Sequence, residues 1–267
     1  MKGAIEFLGL FFDPLSKAEV EQWIAARDAN SPFAYLVTPN VDHVVRLSTR
    51  SGAIHHAYRN ADLCLCDSRV LKRLAGACGV GLELVTGSDL VEAMFSNVVQ
   101  PGDRICMIGG SSNQVFKLQM LYPHVTIMHH EAPMGLLEDE AARLRAVEFA
   151  SSAKARFTLL GVGSPQQELI ASEMGASGQV GGTVLCIGAS VEFLVGEQSR
   201  APRMVQMASL EWFWRLIHSP RRLARRYLID GPTIFPIVLR WYLTKSTTRS
   251  DKSREKNVLA ATRLVED

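Results

Sequence analysis

Cysteine is scarce in this 267-residue chain: five residues, an odd number, none at the spacing of zinc ligands. Cys64, Cys66, Cys78, Cys106 and Cys186 stand in apolar, strand-like contexts such as Leu63-Cys64-Leu65-Cys66. That excludes a disulfide-stapled scaffold and points to buried free thiols in a reducing compartment. Long apolar runs are also missing. The longest charge-free stretch, Met174 to Val191, contains five glycines and reads as loop plus strand, not as a spanning helix. Met1 to Glu6 lacks the apolar core of a secretory signal. These absences point to a cytoplasmic chain whose contact with a membrane is peripheral. Charge of one sign is not in excess either, with 29 Lys+Arg against 27 Asp+Glu. A hydrophobic content of 47% with 21% charged residues is that of a globule and excludes disordered or collagen-like classes.

The near-balance of charge hides a segregation. Residues 1–195 carry 15 basic and 20 acidic side chains, whereas residues 196–245 carry 9 basic and 3 acidic ones. Three of the four tryptophans, Trp212, Trp214 and Trp241, fall in that basic segment. The sequence therefore divides into a neutral-to-acidic body (1–195), a basic and aromatic helical appendage (196–245) and a polar tail (246–267) expected to be frayed and disordered.

Within the body, short apolar runs alternate with longer amphipathic ones, the pattern of a parallel sheet covered by helices. Strands are expected at Ile5–Leu10, Ala34–Val37, Ala61–Cys66, Arg104–Ile108, His124–His129, Phe157–Val162 and Thr183–Ile187. Helices follow from about Lys17 (with Ser16 and Glu19 as a capping box), Val41, Val70, Asp89, Gln114, Glu138 and Gln166. In the appendage, 203–217 and 221–229 read as helices separated by Ser219-Pro220, followed by a third apolar segment from Thr233 to Leu243. The fold class is α/β: a Rossmann-like, mostly parallel sheet with helices on both faces, plus the C-terminal basic helical appendage. Ligands of such sheets bind beyond the carboxyl ends of the strands.

Those strand ends carry the candidate chemistry. Gly109-Gly110-Ser111 and Gly161-Val162-Gly163-Ser164-Pro165 place small-residue turns before helices, where free N–H groups and the helix dipole suit a phosphate, or simply make tight turns. Asp67 is delivered to a strand end beside Ser68, either as a base toward a sugar hydroxyl or as the cap of the next helix. Thr38 and Asn40 flank a proline turn and either bind substrate or cap a helix; Asp42-His43 lies in that helix's first turn. Asp42, His43, Asp62, Asp67 and Asp89 are too scattered for a metal site, so neither metal nor cofactor is expected. Arg215, Arg222 and Arg225, with Arg221 and Arg226 beside them, suit a diphosphate and the interleaved aromatics a membrane interface, or the segment is simply a solvated basic face over an ordinary core. The acidic body and the lack of a recognisable module argue against nucleic acid. Leu8-Gly9-Leu10-Phe11-Phe12 lacks a dinucleotide fingerprint.

Read together, the junctions form one ordered set: Val37-Thr38-Pro39-Asn40-Val41-Asp42-His43, Ala61-Asp62-Leu63 through Asp67, Val85-Thr86-Gly87-Ser88-Asp89-Leu90, Gly161 through Glu168, Gly188-Ala189, Arg200-Ala201-Pro202, Leu210-Glu211-Trp212 and Arg225-Arg226-Tyr227-Leu228. In order and spacing this resembles the WecG/TagA/CpsF family of bacterial glycosyltransferases, glycosyltransferase family 26, over about residues 3–243. The resemblance implies a metal-independent, inverting transferase that moves a hexose or N-acetylhexosamine from a UDP-sugar to a polyprenyl-diphosphate-linked saccharide at the inner face of the cell membrane, in exopolysaccharide or cell-wall polymer synthesis. It implies Asp67 as general base, Thr38, Asn40 and Gln167 as polar lining, and Arg215, Arg222 and Arg225 on the acceptor diphosphate. With the glycine turns, the donor set becomes Thr38, Asn40, Gly109, Gly110, Gly163, Ser164, Gln167 and Gly188. Departures from the family pattern are Cys66-Asp67-Ser68 for Pro-Asp-Gly, Leu84 for an arginine and Gln166 for a basic residue. Fewer cations favour a neutral donor. The competing reading is a non-catalytic nucleotide-binding or membrane-scaffold protein with a degenerate site. Helices that the appendage leaves uncovered are compatible with a homo-oligomer.

Overall fold

A computed structural model describes residues 3–50 and 52–245. The tail expected to be frayed, 246–267, lies outside the described residues.

The first expected strand is instead a hairpin. β1 (Ile5–Phe7) and β2 (Leu10–Phe12) pair antiparallel through Leu8 and Gly9, both at positive φ (56° and 81°), the combination that a two-residue turn of this hand requires. The hairpin is a separate two-stranded sheet. The chain leaving it guards an edge of the main sheet: Asp13 N–H donates to the Cys64 carbonyl (2.9 Å), and Cys64 N–H donates to Asp13 Oδ2 (2.8 Å). Helix α1 (Lys17–Ala25) begins at the expected capping box, with Ser16 N–H donating to Glu19 Oε2 and Glu19 N–H to Ser16 Oγ.

The main sheet has six strands, β3 (Ala34–Val37), β4 (Leu63–Cys64), β5 (Arg104–Gly109), β6 (Thr126–His130), β7 (Phe157–Gly161) and β8 (Thr183–Cys186), in the order β4-β3-β8-β7-β5-β6 with every pair parallel. Period-two alternation splits its side chains between two cores. Leu36, Ile105, Met107, Leu159 and Leu185 pack on one face with Val20, Ile24, Leu90 and Leu118; Val37, Cys106, Ile108, Leu160 and Cys186 pack on the other with Leu71, Ala146, Ile170 and Met174. The covering helices are α2 (Val41–Ser48), α3 (Ala53–Arg59), α4 (Arg69–Ala77), α5 (Gly87–Ala93, continued by a π-helical turn over Met94–Val98), α6 (Ser112–Leu121), α7 (Glu140–Ala153) and α8 (Gln166–Ser177). Helix α3 was not foreseen. It starts at Gly52 with no side-chain cap, so no start signal announces it. All five cysteines are free; four are buried and Cys78 is partly so.

After β8 come α9 (Ser190–Leu194), α10 (Arg203–Met207), α11 (Glu211–His218) and α12 (Pro220–Ala224). The expected helix 203–217 is broken because Ser209 adopts φ 63°, which no helix continues. Gly231-Pro232 does not end the next helix: α12 passes through a π-helical turn (Arg225–Asp230) and a 3₁₀ turn (Gly231–Thr233) into a last helix, α13, over 234–245. The segment is tied down at both ends. Arg200 pairs with Asp89 and with Glu92 (3.0 Å) on α5, and Trp241 of α13 stands edge-on to Phe7 at 4.9 Å while its Nε1 donates to Glu6 Oε1 (3.0 Å). Ile234 and Val238 join the same core as Phe7, Leu10 and Phe12. By contrast, α10, α11 and the π-helical turn bury no residue, and they leave Met204, Met207, Phe213, Ile217, Leu228 and Ile229 exposed. Among the described residues, no helix is long and apolar enough to cross a membrane.

Candidate active site

A cavity of about 590 Å³ opens beyond the carboxyl ends of β3, β4, β7 and β8, with α9, α11 and the π-helical turn closing over it. It is lined by Thr38, Asn40, Asp67, Gly163, Ser164, Gln167, Gly188 and Arg215, which brings eight of the expected site residues together. Three further residues of its wall, His43, Arg46 and Arg226, were not on that list.

Each polar side chain is placed by local structure. Thr38 is buried at the end of β3, and its hydroxyl donates to the Cys186 carbonyl (3.2 Å), tying the ends of β3 and β8 together. Asn40 caps α2, with Oδ1 accepting from Asp42 N–H (3.1 Å), while its own N–H donates to His43 Nδ1 (3.4 Å). Gln167 is held at both ends of its amide: Nε2 donates to Glu168 Oε1 (2.8 Å) and Oε1 accepts from Gly188 N–H (2.9 Å). The amide thereby fixes the turn after β8, and Glu168, fully buried with its carboxyl pushed up by burial, fixes the amide.

Asp67 follows Cys66, whose one-residue bridge with Leu84 extends the sheet edge, and its N–H donates to the Pro39 carbonyl (3.0 Å). The alternative role as a helix cap falls to its neighbour, because Ser68 Oγ accepts from Leu71 N–H (3.2 Å) at the start of α4. The Asp67 carboxyl is thus free to face the cavity. Burial raises its pKa to about 7 against the opposing pull of Arg215 and the Gly87 N–H, with Glu211 and Asp89 adding to the rise. Arg215 itself donates to Glu211 Oε1 (2.9 Å) and lies over the Phe193 ring at 5.0 Å. His43 is pushed down to about 3 by burial and by Arg226 and Arg46, so it stands neutral at physiological pH. With Nδ1 accepting from Asn40, its proton sits on Nε2.

Other expected residues lie elsewhere. Gly109 and Gly110 are off the cavity, and their need for glycine is conformational: both adopt positive φ (86° and 74°), and at Gly109 a Cβ would also stand 2.6 Å from Val162 Cγ1 and 3.0 Å from the Gly161 backbone. The donors of the helix that follows hold a carboxylate of the chain itself, as Glu197 accepts from Asn113, Gln114 and Lys117. Arg225 is exposed and does not line the cavity. The side chain of Arg222 lies outside the described residues. Helical spacing from Arg215 favours 222 and 225, but Pro220 restarts the helix, and it is Arg226, at the start of the π-helical turn, that lines the cavity. Arg46 follows Asp42 at i+4 and His43 at i+3, a spacing that puts it beside the Asp42-His43 pair already singled out in the first turn of α2 and could have found it. Among the described residues, no group of three or more His, Cys, Asp and Glu is placed to hold a metal ion.

This arrangement, polar strand ends with one carboxyl raised by burial under a basic roof, occurs in a chain whose residues 5–248 match the profile of the Glycosyl transferase WecG/TagA/CpsF family. The chain belongs to that family. Similar curated proteins are the N-acetylglucosaminyldiphosphoundecaprenol N-acetyl-beta-D-mannosaminyltransferases of Staphylococcus aureus. Those of strains MW2 and NCTC 8325 are each 24% identical over 229 residues, covering 83% of this chain and 87% of the relative. That of strain MRSA252 is 23% identical over 231 residues with the same coverage. As a WecG/TagA/CpsF glycosyltransferase, the chain carries its parallel α/β sheet, and its cavity lies where an open sheet of this kind takes its ligands.

Proposed function

We propose that this glycosyltransferase moves a hexose or N-acetylhexosamine from a UDP-sugar to a polyprenyl-diphosphate-linked saccharide by a single inverting displacement. The observation that carries the reading is Asp67, a carboxyl poised at about 7 in the cavity beside Arg215. A base with a pKa near working pH is matched to taking a proton from a sugar hydroxyl. In the proposed step, the acceptor hydroxyl gives its proton to the Asp67 carboxylate and its oxygen forms the new bond to the anomeric carbon. The bond from that carbon to the UDP phosphate oxygen breaks, and its electron pair leaves with UDP. Guanidinium groups lining the cavity offset the charge that develops on UDP. Thr38 and Gln167 keep the turns around the sugar in register, and Asn40 and Ser164 offer polar contacts.

The names of the relatives, which act on a GlcNAc-diphosphoundecaprenol, support a lipid-diphosphate acceptor and an N-acetylhexosamine donor. Leu84 and Gln166, in place of basic residues, favour a neutral sugar over a uronic acid. The exposed apolar side chains of α10, α11 and the π-helical turn suit peripheral contact at a membrane surface, with residues 196–245 serving as the acceptor-facing part over the catalytic body.

The test is UDP release from a panel of UDP-sugars, with and without a short-chain polyprenyl-diphosphate-sugar, in EDTA. The expected result is release that requires the acceptor, survives EDTA and prefers UDP-glucose or UDP-N-acetylmannosamine. Absence of release with every donor overturns the reading; preference for UDP-N-acetylmannosaminuronic acid overturns the neutral donor.

A further inference from the structure

The helix that follows Asp67 carries a cation where helices favour an anion. Arg69 is the first residue of α4, beside the positive end of the helix dipole, and the first turn holds no acid to offset it. Arg73 stands one turn later on the same face. Both side chains reach the C-terminal segment. Arg69 Nη2 donates to Gln206 Oε1 (3.1 Å), and Gln206 Nε2 in turn donates to the Ala201 carbonyl (2.8 Å). Arg73 donates to the carbonyls of Met207 (2.8 Å) and Ala208 (3.2 Å).

Those two carbonyls are the ones that the end of α10 leaves over. Ser209 takes the left-handed conformation, its N–H donates to the Gln206 carbonyl (2.9 Å), and Leu210 N–H donates to that of Val205 (3.0 Å), the paired bonds of a Schellman ending. Met207 and Ala208 are then the last carbonyls still to be satisfied, and the Arg73 guanidinium supplies both donors and a cation at the negative end of the helix. Because α10 buries none of its own side chains, polar contacts hold it to the body. Helix α4 is fixed in the core by Leu71 and Ala75. Two parts of the site therefore hang on α4. Asp67 immediately precedes its Ser68 cap, and Ser209 and Leu210 lead from the arginine contacts into α11, which brings Glu211 and Arg215 up to Asp67.

We propose that Arg69 and Arg73 are positioning residues of the transferase: they clamp the end of α10 to α4 and so hold the helix that carries Arg215 in register with Asp67. This role rests on the glycosyltransferase reading, with Asp67 as base. Neither arginine lines the cavity, so both act on substrate only through α4 and α11. The charged groups acting on Asp67 are Arg215 and Glu211 from α11 and Asp89 from α5, with the Gly87 N–H; in the rest of the cavity wall His43 is neutral, and Arg46 and Arg226 pair with Asp42. Burial is the largest of the influences on Asp67, while Arg215 and Glu211 act in opposite senses. A loosened α11 admits water, and Asp67 then falls toward the ordinary carboxylate range.

The test is acceptor-dependent UDP release across about pH 5 to 8.5 by the full-length chain and by Arg69→Gln, Arg73→Gln, the double variant and Arg73→Lys, with the melting temperature of each. Arg73→Gln is expected to lower kcat/KM by about tenfold or more, and the double variant further, because a small misplacement of a catalytic group is costly. Both are also expected to move the limb near 7 down by about half a pH unit or more. Arg73→Lys, which restores the charge and still donates to a carbonyl, recovers part of each effect. A merely structural role lowers the melting temperature or the folded fraction and scales the rate alike at every pH. A limb that stays at about 7 in all variants therefore overturns the proposal, as does undiminished turnover, and either result in a chain whose unaltered form shows the limb leaves the glycosyltransferase reading standing. Turnover without that limb in the unaltered chain removes Asp67 as base and the positioning role with it; no UDP release with any donor overturns both readings.

Discussion

Asp67 shows how a common residue acquires an uncommon property from its place. The Ser68 cap relieves the carboxyl of starting α4, and burial lifts it to about 7 even though Arg215 and the Gly87 N–H both favour its ionised form. The ionised form is the base, so kcat/KM is expected to climb as pH rises through about 7 and then level off, a limb that initial-rate measurements across pH 5.5–8.5 would trace. Asp67→Asn should lower kcat by roughly a hundredfold or more while leaving UDP-sugar binding nearly intact, and should erase that limb. Undiminished turnover would move the base elsewhere. Gln167 plays a different part: with both ends of its amide engaged, it acts on substrate chiefly through the position of Gly188.

At the scale of single elements, the site depends on helix starts. Asn40 caps α2, Ser68 caps α4 and Thr86 caps α5, and all three helices begin beside the cavity. Ser68→Ala removes the acceptor for Leu71 N–H and should cost about 1 kcal/mol. A chain of this size would then melt roughly 2–4 °C lower in a calorimetric scan. An unchanged melting temperature would show that the first turn of α4 is held by its packing instead. The π-helical turn at Arg225–Asp230 carries Arg226 and Tyr227 into the cavity wall.

At the scale of the whole molecule, the C-terminal segment is both anchored and exposed. Its last helix packs on the hairpin through Trp241 and puts Ile234 and Val238 into the core, while α11 presents Phe213 and Ile217 outward. If that face meets a lipid surface, Phe213→Glu with Ile217→Glu should reduce co-sedimentation with anionic phospholipid vesicles several-fold or more without lowering the melting temperature, because neither side chain is buried. Equal co-sedimentation would remove this face from the membrane contact.

Much was legible from local pattern. The parallel sheet, the capping box at Ser16, the break at Ser219-Pro220, the segregation of basic residues and the strand-end positions of Thr38, Asn40, Asp67 and Gln167 follow from period-two and helical alternation and from turn chemistry, all set within a few residues of chain. Tertiary structure decided what depends on distant neighbours. It folded Ile5–Phe12 into a hairpin beneath α13, closed the Gly109-Gly110 turn against Val162 and Met107, gave the α6 donors to Glu197, and turned Arg226 rather than Arg225 into the cavity. Burial, which raises Asp67 and silences His43, is likewise a property of the assembled molecule: it measures how much water other segments exclude, and no short stretch of sequence encodes that.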